Sequence, residues 1–311
     1  MRNFINKRDI NGLLLFDKPI GYTSNKILQY IKFIYKAKKA GHTGTLDPLA
    51  SGLLPICLGE ATKFTSYLIN SDKIYIVKAR LGEKTNTADK DGIIIKKKKI
   101  NFSQKQLNDV LSLFRGKIKQ IPTMYSAIKY KGIPLYKYAR AGINILLNKR
   151  EVTIYKLKLL SFKKNEIKLK IHCSKGTYIR TIIDNIGDKL NCGAHVIKLR
   201  RIKLSHFSIL NKNIVTIGTL DNLIKNCNNN LSNLLLIDKL LLPTDYILNN
   251  FPKLLLSKNL INNLKNGKKT KISINNTKNN NIFRIYDKYQ FLGICQINNK
   301  NYIKKYKLMN I

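Results

Sequence analysis

Two apolar-rich runs, Val152 to Phe162 and Ile167 to Cys173, are separated only by Lys163 to Glu166. A connection that short joins antiparallel strands, because a parallel pair needs a crossover of a dozen residues or more. In the second run Ile167, Leu169 and Ile171 recur at every other position and so share one face. This part of the chain therefore builds an antiparallel sheet.

Strand and helix signals alternate around that hairpin over the first 200 residues. Leu13 to Phe16 reads as a short buried strand, and Thr23 or Ser24 can cap a helix carrying Ile27, Tyr30, Ile31 and Ile34 at helical spacing. Leu53 to Leu58 reads as a strand, followed by a helix from Glu60 to Leu68. Lys73 to Leu81 is a strand with Tyr75, Val77, Ala79 and Leu81 on one face, and Glu83 to Gly92 is a polar loop. Ser103 and Gln106 form a capping box ahead of Leu107, Val110, Leu111 and Phe114, with Gly116 ending that helix. Tyr178 to Leu190 is helical, and His195 to Phe207 returns as a strand. This order predicts an α+β fold with a mixed, largely antiparallel central sheet and flanking helices.

The chain has 311 residues, enough for about two domains. After an Asn-rich stretch at Asn226 to Asn230 and two Leu-rich helical pieces leading to Pro243, the character changes at Phe251. Short strand-like pieces follow, with a Gly267 turn and an Asn275 to Asn281 loop. Residues 251–311 hold 13 Lys and Arg against the single acid Asp287, a net of +12 in 61 residues, whereas the first 250 carry a net of +29. We divide the chain into a unit over 1–248 and a small, basic, β-rich unit over 249–311.

The net charge of +41 points to a polyanionic partner, since Lys and Arg neutralise phosphates and release their counterions. Stretches such as IIIKKKKI and NNTKNNN show that coding bias contributes to it. Five scattered cysteines without a C-x-x-C pair predict a reducing, cytoplasmic setting. Cys192 and His195 are the only close pair with ligand-like spacing, so no metal site is expected. No apolar run approaches the ~18 residues that span a bilayer, and the sequence calls for no membrane and no obligate protein partner. Gly267-Lys268-Lys269-Thr270 lacks the first glycine of a phosphate-binding loop, with Asn262 in its place.

The stretch from Gly41 to Gly52, GHTGTLDPLASG, holds three glycines and two threonines between a helix and a strand. Such a loop keeps its backbone clear for close approach. Pro48 biases Asp47 toward an extended conformation and so fixes where its carboxylate projects. On residues alone, Asp47-Pro48 is equally the start of a helix.

The longer string GHTGTLDPLASGLLPICLGEATKF resembles the signature of the TruB family of bacterial tRNA pseudouridine synthases. LLLFDKPIGYTSN, SDKIYIVKARLGEKTNTADKDG, FRGKIKQIPTMYSAIKYKGIPLYKYARAG and IHCSKGTYIRTIIDNIGDKLNCGAHVIKLRR agree with it in order, so the resemblance covers residues 10–207. It implies a pseudouridine synthase fold with a PUA-like C-terminal domain, and isomerisation of uridine 55 in the T loop of the TΨC arm of tRNA without a cofactor. Asp47 matches the catalytic aspartate. Arg180 matches the arginine that pairs with it, which would hold the carboxylate by a bidentate bond and lower its pKa; Asp184, four residues on, offers Arg180 an ordinary helix-surface partner instead. Tyr75 matches the aromatic that stacks on the target uracil, Tyr178 lies beside the pocket, and Leu199 matches an apolar contact to the base. His42 matches the histidine that fills the space left by the flipped base. Lys18, Arg200 and Arg201 are candidate phosphate contacts. The readings set against this one are a tRNA-binding or tRNA-folding protein without catalysis, and a synthase of the same family aimed at another uridine.

Overall fold

The computed structural model describes residues 7–225, 231–272 and 282–310. The Asn226 to Asn230 stretch and the Asn275 to Asn281 loop lie outside the described residues. The chain opens with β1 (Gly12–Lys18), in which Leu13 to Phe16 are fully buried. Leu14 and Phe16 enter one apolar cluster, while Leu13 and Leu15 enter another on the opposite face. A strand without a polar face has to be covered on both sides, as this one is. Helix α1 (Ser24–Ile34) is capped by Thr23, whose hydroxyl accepts from the Lys26 N–H, and lays Ile27, Ile31 and Ile34 on the first cluster.

β2 (Ala40–His42) and β3 (Ala50–Leu58) flank the Gly/Thr loop. The segment expected as one helix from Glu60 is a tight 3₁₀ turn, Gly59–Phe64, followed by the short α2 (Thr65–Ile69). The hydroxyls of Thr62 and Thr65 donate to carbonyls three residues back, at 2.7 and 3.0 Å, the spacing that the tighter turn favours. β4 (Lys73–Leu81) alternates as its sequence predicts. The polar segment after it begins with β5 (Glu83–Thr85), which pairs with β6 (Ile94–Lys97). Its remainder folds around the buried Asp89: Thr85 donates to the Asp89 carbonyl, and Thr87 and the Asp91 N–H donate to its carboxylate.

The Ser103–Gln106 capping box starts α3 (Gln104–Ser112), and β7 (Gly116–Gln120) follows. Next come the small hairpin of β8 (Lys129–Tyr130) and β9 (Ile133–Pro134), then α4 (Leu135–Arg140). The predicted antiparallel pair is β10 (Arg150–Lys163) and β11 (Glu166–Cys173), joined through Lys164 and Asn165. Tyr178 is the N-cap of α5 (Ile179–Lys189). β12 (Ala194–Leu204) stops short of Phe207, because the chain reverses at Ser205, φ 54°, into β13 (Phe207–Ser208). The part of the chain that builds the main sheet ends with β14 (Ile214–Val215), α6 (Ile217–Lys225) and α7 (Leu231–Asp238).

The main sheet runs β14-β1-β3-β12-β4-β11-β10-β7, with β2 paired to β3 and β13 to β12. Only β1/β14 and β3/β12 are parallel, so the sheet is mixed and largely antiparallel. At the β3/β12 seam a side chain on Gly52, φ 108°, would sit 2.3 Å from the Arg201 carbonyl oxygen. Glycine is what lets these strands close.

A second sheet forms the C-terminal unit: β15 (Lys253–Leu255), β16 (Ile282–Tyr286), β17 (Phe291–Ile297) and β18 (Ile303–Leu308). It also contains a helix that the sequence reading passed over, α8 (Lys258–Lys265), and Gly267 lies in the turn that ends it. This unit packs on the elements that follow β3. Phe291 meets Phe64 edge-on at 5.7 Å, and the Asn310 N–H donates to Glu60 at 2.7 Å.

Candidate active site

The loop carrying Asp47 is pinned on both sides of the carboxylate. The Ser24 hydroxyl accepts from the Leu46 N–H at 2.8 Å and contacts its carbonyl at 3.1 Å, while the Pro48 carbonyl accepts from Gly21 at 2.8 Å. Leu46 and Leu49 are buried, and the Ala50 N–H closes a turn onto the Asp47 carbonyl at 3.0 Å. No helix starts at Asp47-Pro48; the turn runs directly into β3. Asp47 thus projects from a fixed backbone with a third of its side chain exposed.

Arg180, in the first turn of α5, is 4% exposed and lies across the inner end of this carboxylate. Its Nε is 2.9 Å from Asp47 Oδ2, an ion pair rather than an aligned hydrogen bond. The expected bidentate grip is absent because the guanidinium is used elsewhere. Nη1 donates to Asp89 Oδ2 at 3.2 Å and to the Thr87 carbonyl at 3.1 Å, and Nη2 donates to the Tyr125 carbonyl at 2.7 Å. The helix-surface alternative is excluded: Asp184 pairs with Lys84 at 3.2 Å. Burial pushes the Asp47 carboxyl above its ordinary pKa; Arg180 opposes this, Asp89 adds to it, and Lys18 opposes it weakly. Arg180 pulls in the expected direction, but the net shift is upward because burial outweighs it.

Asp47 and Arg180 sit in a cleft of about 350 Å³ walled by Tyr75, Tyr178 and Leu199. Tyr75 reaches it from the buried face of β4, and Leu199 from β12, where it pairs with Val77. Tyr178 is fixed by its backbone: its N–H donates to Gln120 Oε1 at 2.8 Å, and its carbonyl accepts from Gln120 Nε2 at 2.9 Å. The cleft also holds Lys73, whose ammonium donates to the Ile69 and Ser71 carbonyls and whose pKa burial lowers to about 8.

The basic residues do not all face outward. Lys18 is wholly buried and donates to the Pro19 and Tyr22 carbonyls at 2.9 and 2.7 Å; burial lowers its pKa to about 8. Arg201 is 1% exposed and donates to the Leu53 and Gly44 carbonyls. Both are internal cations that brace the loop and cleft, and this burial runs against their reading as candidate phosphate contacts. Arg200 is 40% exposed and paired with Asp17 at 2.6 Å. His42, at the end of β2, is outside the cleft lining; its Nδ1 is buried without a partner, and burial pushes its pKa down.

Three residues at the site escaped the sequence reading. Asp89 and Gln120 are 5% and 2% exposed, although acidic and amide side chains seldom are. The TADKDG string signalled a turn and gave no sign that its first aspartate points inward. Lys73 begins a strand whose sequence carries no sign that its ammonium turns inward.

A mixed, largely antiparallel sheet thus presents one cation-held carboxylate in a cleft walled by two tyrosines. The chain matches the TruB family pseudouridylate synthase N-terminal domain over residues 32–179, and the tRNA pseudouridylate synthase B C-terminal domain over residues 180–249. It is 50% identical over 311 residues to tRNA pseudouridine synthase B of Buchnera aphidicola, covering 99% of this chain and 98% of that protein. To tRNA pseudouridine synthase B of Shigella flexneri it is 53% identical over 246 residues, 79% of this chain and 78% of that one. The chain belongs to the TruB family. Its fold is shared with a chain of the crystal structure of a Cbf5-Nop10-Gar1 complex, at a TM-score of 0.71 and 21% identity over 96% of this chain and 84% of that one.

Proposed function

We propose that the chain converts uridine 55 in the T loop of tRNA to pseudouridine, with Asp47 acting on a base flipped out of the RNA stack. The observation that carries this reading is the partly open Asp47 carboxylate, held by Arg180 in a cleft bounded by Tyr75, Tyr178 and Leu199. That the relatives are named as tRNA enzymes supports the choice of RNA.

The reaction breaks the N1–C1′ bond, turns the uracil and joins C5 to C1′; C5 gives up a proton and N1 ends protonated. No electrons are gained or lost, so the site has to expose, hold and rotate a base. A base inside an RNA loop becomes reachable only when flipped out. Tyr75 then stacks on the uracil, Leu199 walls its edge and Tyr178 closes the side. Asp47 meets Arg180 through Oδ2, which leaves Oδ1 for the sugar or base. His42 occupies the place in the RNA that the base vacates, and the basic unit over 249–311, PUA-like in its β-rich build, docks the RNA.

The test is Asp47→Asn with a T-arm transcript, reading pseudouridine by position and RNA affinity separately. The expected result is no pseudouridine at position 55, with affinity within a few-fold of the parent. Product from the variant would remove Asp47 from the chemistry, and parental product at a different uridine would redirect the target.

A further inference from the structure

The face of the main sheet turned away from the cleft is open along β12, β4, β11 and β10. Val77, Ala79, Ile167, Leu169 and Leu199 point into the core, so the residues between them point outward. Those outward residues stand in cross-strand rows. In one, Lys198, Lys78 and Lys168 lie directly opposite one another on three adjacent strands. In the next, Lys158 faces Lys170, followed by Ile76 and then Arg200. Lys156 and Lys203 stand at the two ends of the row beyond.

Like charges directly opposite in a ladder destabilise a sheet. The counter-charges here are few. Glu166 pairs with Lys78 and Arg80, and Asp17 with Arg200. Lys158, Lys168, Lys170 and Lys198 are exposed, and among the described residues none of them has an acidic partner. The row of three lysines in register on neighbouring strands shares one acid, Glu166, which pairs with the middle lysine and leaves the outer two uncompensated. Strands lie roughly 4.8 Å apart, and same-face residues roughly 6.8 Å along each strand, so the rows form a grid of cations. The ligand that offsets such a grid has negative charges as closely spaced as its own. A nucleic-acid duplex carries one per about 1.7 Å of its axis.

We infer that this face binds the sugar–phosphate backbone of an RNA duplex at a site separate from the cleft. An RNA hairpin in the cleft and a duplex segment behind the sheet are then held at the same time. The inference rests on RNA being the cleft's substrate, and its test separates the two.

A labelled, blunt RNA duplex without a loop is titrated into the full chain, alone and with one equivalent of T-arm hairpin, enough to fill the cleft without competing through its own stem. The duplex binds equally in both cases, and its affinity falls steeply with salt. In Lys168→Gln/Lys170→Gln/Lys198→Gln the duplex binds about ten-fold more weakly at low salt, and the slope of log K against log salt drops by about 2 to 3, near 0.9 per lost phosphate contact. Hairpin turnover stays at the parental rate. The variant melts no lower than the parent, because repelling charges have been removed. Displacement of the duplex by the hairpin, parental duplex affinity in the variant, or loss of hairpin turnover with the same substitutions each overturns the inference. So does variant-sensitive binding to phosphatidylglycerol vesicles with none to the duplex. A parent that binds duplex as described but never turns the hairpin over leaves this surface standing and removes the proposed reaction.

Discussion

Arg180 meets Asp89 at 3.2 Å through Nη1, the end of its guanidinium remote from the Nε that faces Asp47. One buried cation therefore serves two carboxylates. Asp89→Asn removes a negative charge that pushes the Asp47 pKa up. Activity that needs ionised Asp47 is lost as pH falls through that pKa, so the acid limb of kcat/KM moves to lower pH in this variant. Arg180→Met removes the cation that pulls the pKa down, and its limb moves to higher pH. Because Arg180→Met also leaves buried acids uncompensated, it costs about 3–5 kcal/mol of stability. pH–rate profiles and urea melts check both; limbs moving together in one direction would refute the arrangement.

Tyr75 is nearly buried on β4 and lines the cleft, and in the proposed reaction its ring is the surface on which the base stacks. Tyr75→Phe keeps the ring and retains turnover within a few-fold. Tyr75→Leu removes a stacking surface worth about 1–3 kcal/mol, a loss of roughly 5- to 150-fold in kcat/KM. Single-turnover kinetics on a T-arm hairpin distinguish the two.

Gln120 connects β7 to the start of α5 by gripping both backbone groups of Tyr178. Gln120→Leu keeps the volume and leaves those groups without partners, at a cost of about 1–3 kcal/mol. Since Arg180 lies two residues further on, turnover falls as well as stability. Glutamate at this position accepts from the N–H but cannot donate to the carbonyl, so Gln120→Glu recovers only part of the loss. Thermal melts and turnover of both variants check this.

Salt dependence separates internal cations from external ones. Lys18→Met alters a buried ammonium and leaves the salt slope of RNA binding unchanged while lowering turnover. Arg200→Gln removes an accessible cation and reduces the slope by up to about 0.9. Equal slopes for both variants would place neither, or both, against phosphate.

The sheet was legible because its signals are local: the β10/β11 hairpin, the alternation in β4 and the Ser103 capping box are each written within a dozen residues. The conversion of Glu60 to Leu68 into a 3₁₀ turn was not, since helical spacing persists while two threonine hydroxyls tighten the backbone. Asp47 and Arg180 could be named from motifs, but their distance from Asp89 depends on how three separate segments meet. The character of Lys18 and Arg201 was hidden for the same reason. A lysine that donates to its own chain's carbonyls reads in sequence like one that reaches for phosphate.

The parallel seam between β3 and β12 sets Ala50 opposite Leu199, closing the site from segments about 150 positions apart. A chain emerging from the ribosome can fold the Asp47 loop early, yet the floor of the cleft is missing until β12 has been synthesised. Completion of the cleft is therefore a late event in translation, and a chain that ends before Arg201 lacks the strand that carries one of its walls.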